Sequence, residues 1–391
     1  MYRQTNLSRI TCVVDDNVLA ALNTALQMLE IPKVYTQRAK QVSLNDRSRL
    51  FGLRSYTTLE ENRATLCRFY VPKIYEAGAM RYVAEATDLY LPGRGSVCAK
   101  DVILLRKNQL KFNEKLLAEV CGAGPAGAEN YAVLTCVVQR GMASALAAAI
   151  LEMGLSVPLI SFADGMGGRE RLGLLRIAIP VAKEVIYFLI PKIDADFLQE
   201  IIIRKARLDL PGHGFLYQHH VCAPAVNLRM RSGNRTSAAT MEQIITALDQ
   251  LRGSSEWRRL GARQKRGARE KNAEKEKLTC FSFITDEGQL ASYVKLALER
   301  GAGGATRLPI MFQSYSPDEQ NKIASGAREI CDLVIPNVIC MDLIKDMEKS
   351  NFFQQSSAAM IELTPVLSAV TYAGRGKPAK RLFSLLKKIE S

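Results

Sequence analysis

Three landmarks recur along this chain in a constant order, and that repetition constrains its fold more than any other feature. The tripeptide apolar-Thr-Cys occurs as Ile10-Thr11-Cys12, Leu134-Thr135-Cys136 and Leu278-Thr279-Cys280. Each copy lies in a strand-like apolar run and precedes a helical pattern. Val18, Leu19, Leu22, Leu26 and Leu29 mark the first helix, and Met142, Leu146, Ile150 and Met153 the second, stopped by Gly154. Leu290, Val294 and Leu298 mark the third, stopped by Gly301. Next comes a strand ending in proline: Phe69-Tyr70-Val71-Pro72, Phe188-Leu189-Ile190-Pro191 and the weaker Leu333-Val334-Ile335-Pro336. A second helix follows each of these (residues 79–86, 195–207 and 341–350), and a last strand closes each unit. The third landmark, Leu-Pro-Gly-x-Gly, is present only twice, at residues 91–95 and 210–214. Residues 355–359, Gln-Ser-Ser-Ala-Ala, stand in its place in the third unit.

Strand, helix, strand, strand, helix, strand is the order of a ferredoxin-like antiparallel sheet with two helices on one face. The expected fold is therefore α+β: three ferredoxin-like βαββαβ repeats arranged as an intramolecular pseudo-trimer. Their open, apolar sheet faces would cover one another, since such faces do not stay in water. The expected division is repeat one at 1–105, a linker at 106–130, repeat two at 131–228 and a helical, basic insert at 229–276. A degenerate third repeat at 277–374 and a basic C-terminal helix at 375–391 complete the chain.

Composition narrows the function classes. Of 391 residues, 48% are hydrophobic and 24% charged, which suits globular units with sizeable cores. No apolar run reaches the roughly 18–20 residues of a membrane-spanning helix. The first residues lack a secretory pattern, so a cytoplasmic chain is expected. Nine cysteines are scattered without CxxC pairs or zinc spacing, which favours reduced thiols. The net charge of +14 is concentrated at residues 257–277 and in the tail from 375 to 388. Such segments attract nucleic acid, acidic lipid or an acidic partner, or simply form a solvated linker.

The second unit, from Phe188-Leu189-Ile190-Pro191 through the turn at 210–214 to Leu228-Arg229-Met230-Arg231, resembles the nitrogen-regulatory PII signalling family. The resemblance implies a trimer-like assembly that binds adenine nucleotides in clefts between subunits and carries a long loop, the T-loop, after its second strand. By that resemblance, Gly212, His213 and Gly214 form the phosphate-holding turn, with Arg229 and Arg231 as the basic pair on the final strand. Gly165, Gly167, Gly168 and Arg169 then form the T-loop base. A related site falls at Gly93, Arg94 and Gly95. This chain departs from the family at Pro211 and His213, where an acidic residue is usual, and at Phe215, where a lysine is usual. Physically, glycines let backbone N–H groups approach an anion, and arginine adds bidentate, permanent charge. The same Pro-Gly-x-Gly also suits a plain helix-ending turn. The mobile-loop candidates are residues 37–60, 163–174 and 312–326.

No catalytic residues, nucleophile motif or phosphate loop emerges, so no enzyme activity is expected. His219 and His220 are adjacent on a strand and point to opposite faces, which disfavours a metal site. The expected function is a PII-like regulatory protein. It would bind a small anionic effector (ATP, ADP, AMP or another adenine nucleotide, with no metal) in inter-repeat clefts and control a target enzyme or transporter through its loops. The alternatives are a ligand-independent scaffold, or binding of nucleic acid or a membrane surface through the basic insert.

Overall fold

Alternating strand patterns and amphipathic helices build a mixed α and β protein dominated by strand in the computed structural model. The structure describes residues 2–47, 56–125, 127–167, 181–233, 251, 277–317, 326–355 and 358–371. The first unit comprises β1 (Arg3–Asp15), α1 (Leu19–Met28), β2 (Val34–Arg47), β3 (Tyr56–Val71), α2 (Glu76–Ala86) and β4 (Gly95–Arg106). A short α3 (Glu114–Val120) leads to the second: β5 (Tyr131–Gln139), α4 (Ala143–Glu152), β6 (Leu159–Met166), β7 (Ala182–Pro191), α5 (Ala195–Lys205) and β8 (Gly214–Ala225). After β9 (Arg231–Gly233) comes the third: β10 (Leu278–Asp286), α6 (Leu290–Glu299), β11 (Ala305–Gln313), β12 (Gly326–Pro336), α7 (Asn337–Lys349), α8 (Phe352–Gln355) and β13 (Met360–Val366). β14 (Ser368–Thr371) follows.

Each unit pairs its strands antiparallel in one order: β4-β1-β3-β2, β8-β5-β7-β6 and β13-β10-β12-β11. The two principal helices of each unit end at a residue with positive φ: Glu30, Asp88, Gly154, Arg207, Gly301 and Asn351. Left-handed residues of this kind stop a helix by turning its last carbonyls aside. Each unit also packs its helices on one sheet face over its own core, around Leu22 and Phe69, Leu146 and Phe188, and Phe283 and Leu343.

The units are joined edge to edge. β2, β6 and β11 pair with one another in all three combinations. At the other edges, β4 pairs with β8 and β13, and β14 pairs with the start of β8. A further apolar cluster, including Leu7, Tyr70, Val137, Val185, Ile310 and Phe312, draws on all three units.

Register exposes one misleading landmark. Val71 lies opposite Ser8, Ile190 opposite Ala132 and Ile335 opposite Thr279. On that alignment Cys12 and Cys136 correspond to Phe283, and the third Thr-Cys copy is displaced by three residues. Side chains alternate along a strand, so an odd displacement reverses the face. Cys12 and Cys136 accordingly sit under helices, whereas Cys280 faces the neighbouring units beside Tyr217.

Two segments expected to be a loop or part of a linker are ordered otherwise. Most of residues 37–60 belongs to a long β2–β3 ladder running from Val34↔Phe69 to Arg47↔Tyr56. Val42 and Leu44 alternate with polar residues and bury into the second unit's core, which holds this stretch as strand. Of the other loop candidates, residues 168–174 and 318–325 lie outside the described residues. Within the linker at 106–130, the Gly124 N–H donates to the Ile74 carbonyl and Gly127 packs against Cys222. The insert's amphipathic stretch (apart from Leu251), its basic segment and the C-terminal basic helix lie outside the described residues.

Candidate anion-binding site

The sequence grouped the glycine turn at 212–214 and the arginines at 229 and 231 in one place, and the structure separates them. They flank opposite ends of β8, an extended strand of 12 residues. At about 3.3 Å per residue the two ends stand roughly 35 Å apart. Nor do Arg229 and Arg231 belong to that last strand. β8 ends at Ala225, Arg229 falls in the connection beyond it, and Arg231 opens β9, which pairs in parallel with Leu44–Asp46 of β2.

What the second unit's arginine meets is the first unit's turn. β8 runs beside β4, with Val97 opposite Ala225, and so delivers residues 226–230 to the turn preceding β4. There the Arg229 side chain lies against Gly93, where an added Cβ would stand 2.9 Å from its Cδ and 3.2 Å from its Nη1. Gly93 has φ +90°, a conformation that suits glycine. Asn227 stitches the two segments together, its Oδ1 accepting from the Gly93 and Arg229 N–H groups at 3.0 Å each. Arg94 and Arg229 are exposed and form no ion pair among the described residues. Arg231 is already engaged: its Nη1 lies 3.2 Å from Asp46 Oδ2.

The amides of the turn are also largely occupied. The Arg94 N–H donates to the Leu91 carbonyl at 3.2 Å, and Gly95 enters the β1–β4 ladder opposite Val14. Gly95 has φ +142° and an added Cβ would meet the Val13 carbonyl oxygen at 2.0 Å; Gly214, with φ +144°, repeats this against Val137 at 1.9 Å. Both glycines are demanded by the strand entry itself, whatever else the turns do. In the second turn, Gln139 Nε2 donates to the Gly212 carbonyl, and the buried His213 Nδ1 has no hydrogen-bond partner.

Gly165 and Gly167 end β6 against the third unit. Gly165 pairs with Thr306, and a Cβ on Gly167 would meet the Leu298 side chain of α6 at 2.5 Å. They lie at the same end of the sheet as Gly214 but three strands away, about 14 Å at ordinary strand spacing. Gly168 and Arg169 lie outside the described residues.

Sequence reasoning missed a second feature, a partly open cavity of about 90 Å³ bordered by the sheet faces turned away from the helices. Arg9 on β1, Arg68 on β3 and Lys100 on β4 line it from the first unit, and Asp332 on β12 from the third. The Arg9 guanidinium pairs with Glu362 on β13, whose other oxygen accepts from the Tyr70 hydroxyl at 2.9 Å. Burial opposes ionisation of Glu362, but the Arg9 and Lys100 charges outweigh it and hold its carboxyl below the usual value. Burial, reinforced by Arg9, lowers the Lys100 ammonium to about 8. Burial and nearby Lys100 push His219 well below its ordinary value, so its ring is neutral and its Nδ1–H donates to the Pro365 carbonyl.

Compared with known proteins, the chain matches no family model, and no curated protein matches it in sequence. Among the described residues no cluster of His, Cys, Asp and Glu is placed to hold a metal ion. No described helix is long and apolar enough to cross a membrane.

Proposed function

We propose that the chain is a regulatory protein of the PII-like kind, three ferredoxin-like units closed into an intramolecular pseudo-trimer that senses a small anionic effector. The effector is an adenine nucleotide, held where units one and two meet. One observation carries this reading: Arg229 of the second unit lies over Gly93 of the first, beside Arg94, with no carboxylate among the described residues paired to either arginine. A cleft shared by two units suits a sensor, because a ligand bridging them biases their relative arrangement. Occupancy is then transmitted to a target enzyme or transporter at the surface.

Calorimetry with ATP, ADP, AMP and cyclic nucleotides tests the reading. Heat is expected from at least one of them, weakened by Arg229→Ala. No heat at about 100 μM protein would exclude affinities tighter than roughly millimolar and remove the sensor reading.

A scaffold reading is favoured by a different observation: the Gly93 amide and the Arg231 charge are already satisfied by Asn227 and Asp46. A scaffold holds its partner indifferently to nucleotide, so a pull-down repeated with and without ATP separates the two.

A further inference from the structure

The cavity between the sheets is built from charges that no surface role explains. Arg9 and Lys100 are register partners on β1 and β4, and Thr11 and Arg68 are partners on β1 and β3, so all four project from one sheet face. Lys100 is only 8% exposed and Arg68 only 7%. Lys100 Nζ has no hydrogen-bond or ion-pair partner among the described residues. The Nε atoms of Arg9 and Arg68 are likewise buried without an acceptor. Three cations (Arg9, Arg68 and Lys100) face two carboxylates (Asp332 and Glu362), and Asp332 is further engaged by the Ser282 hydroxyl at 2.6 Å. One positive charge is left over.

Leaving an ammonium and two guanidinium donors without acceptors inside a protein is costly, so such sites take up an anion or water. The space exceeds the roughly 10–15 Å³ that one water requires. Polar groups such as Gln41, Tyr187 and Asn227 share the rest of the lining with an apolar wall that includes Leu66, Val133, Leu159, Leu189 and Val221. Water has no preference for such walls, whereas a short alkyl tail does.

We infer that this cavity is a binding site for a short-chain monocarboxylate, its carboxylate on Lys100 and the Arg9 and Arg68 Nε–H groups and its tail against the leucines and valines. Charge selects a monoanion. The cavity adjoins the seam at Gly93, since Asn227 borders both, but its cations are Arg9, Arg68 and Lys100 and not those of the seam, so the inference does not depend on the nucleotide reading. Carboxylate and cations form charge-assisted hydrogen bonds in a region of low dielectric, where such bonds are strongest.

The test uses the full chain and follows thermal unfolding in acetate, propionate and pyruvate against sodium chloride and phosphate at equal ionic strength. A ligand that binds only the folded state raises the unfolding temperature with its concentration. At least one monocarboxylate is expected to do so beyond chloride and phosphate. Lys100→Met is expected to weaken it about 10- to 100-fold, the worth of one charged hydrogen bond. Lys100→Gln serves where the methionine variant does not fold. Arg229→Ala is expected to leave the carboxylate response intact, which separates this site from the nucleotide reading. If no carboxylate stabilises the wild-type chain beyond chloride, or if the Lys100 variants respond as the wild type does, the cavity is a water-filled polar void and the inference is overturned.

Discussion

The first and third units share strand order and helix placement but turn opposite charges to the centre. Aligned by strand pairing, Thr11, Arg68 and Cys98 of the first unit occupy the places of Ser282, Asp332 and Glu362 in the third. The second unit puts Thr135, Tyr187 and Tyr217 there. One row around the cavity thus holds three hydroxyls, while its flanks hold a cation, a thiol, two phenols and two carboxylates. Three identical subunits could not do this. An arginine repeated at all three equivalent places would set like charges against one another in a low-dielectric interior. Joining the units in one chain removes that restriction, and the interior can be balanced by different residues at equivalent positions.

The largest expected effect comes from breaking that balance. Glu362→Gln removes the partner of Arg9 and leaves a buried guanidinium unmatched, which is expected to cost about 3–5 kcal/mol in urea unfolding. Replacing both partners, Arg9→Met with Glu362→Leu, is expected to recover most of the loss. A cost below about 1 kcal/mol for the single variant would mean that the two units are not coupled through charge.

Next in size is Lys100→Met. Lowering an ammonium from 10.5 to about 8 corresponds to about 3 kcal/mol of penalty on the charged form. The penalty is fully present below pH 8, where Lys100 is charged in both states. Between about 8 and 10.5 the unfolded chain binds more protons, so the Lys100 contribution rises with pH across that window. Other groups facing Lys100 behave differently. Glu362, whose carboxyl is held low, stays ionised across that window, and His219, whose ring is held low, stays neutral. Burial pushes the Cys98 thiol up to about 11 and Cys280 to about 12, which gives a slope of opposite sign. Lys100 itself lowers both thiols, so removing it steepens their slope and adds, in the same direction, to the change in the difference between the two proteins as pH rises. Lys100→Met is expected to be the more stable at pH 7, with the advantage vanishing by about pH 10.5. An unchanged difference across the window would contradict a buried, charged Lys100.

How much of this was legible in the residues depended on which side of a strand they faced. Helix-facing positions such as Ile10 and Cys12 alternate with the polar Arg9 and Thr11, and such patterns with the prolines at 72, 191 and 336 give the order of elements. The same alternation hides the cavity. Arg9, Thr11, Arg68 and Lys100 read as the solvent side of an ordinary half-buried strand, because nothing local says that another sheet covers them. Val42 and Leu44 carried a visible strand signal that the family analogy overrode. The pairing of Arg229 with Gly93 was out of reach for another reason. It is fixed by β8 crossing to β4, a contact between segments 134 residues apart at its Gly93–Asn227 bond.

Comparing the turns of units one and two gives a smaller, paired effect. Gly95→Ala and Gly214→Ala each press a Cβ onto a carbonyl of the adjacent strand at positive φ. Each is expected to cost about 1–3 kcal/mol, measured by denaturant midpoint. Equal costs would support equivalent entry geometry in the two units, whereas a tolerant Gly214 would show the second turn to be free to move.

Smallest in stability, and most telling for function, is the contrast between Arg229 and Arg231. Arg229 is exposed and has no ion-pair partner among the described residues, so Arg229→Ala is expected to change unfolding free energy by no more than about 0.5 kcal/mol. Its nucleotide affinity should nonetheless fall about tenfold or more, since a charged hydrogen bond to phosphate is lost. Arg231 instead holds Asp46 and helps fix β9 to β2. Arg231→Ala is therefore expected to lower stability, by about 1 kcal/mol for an ion pair with one buried partner, and to leave nucleotide affinity unchanged. Titration calorimetry and urea unfolding on both variants read the two effects separately. If the roles are reversed, the seam beside Gly93 is a structural joint, and the cationic contact that matters lies with Arg231 and β2.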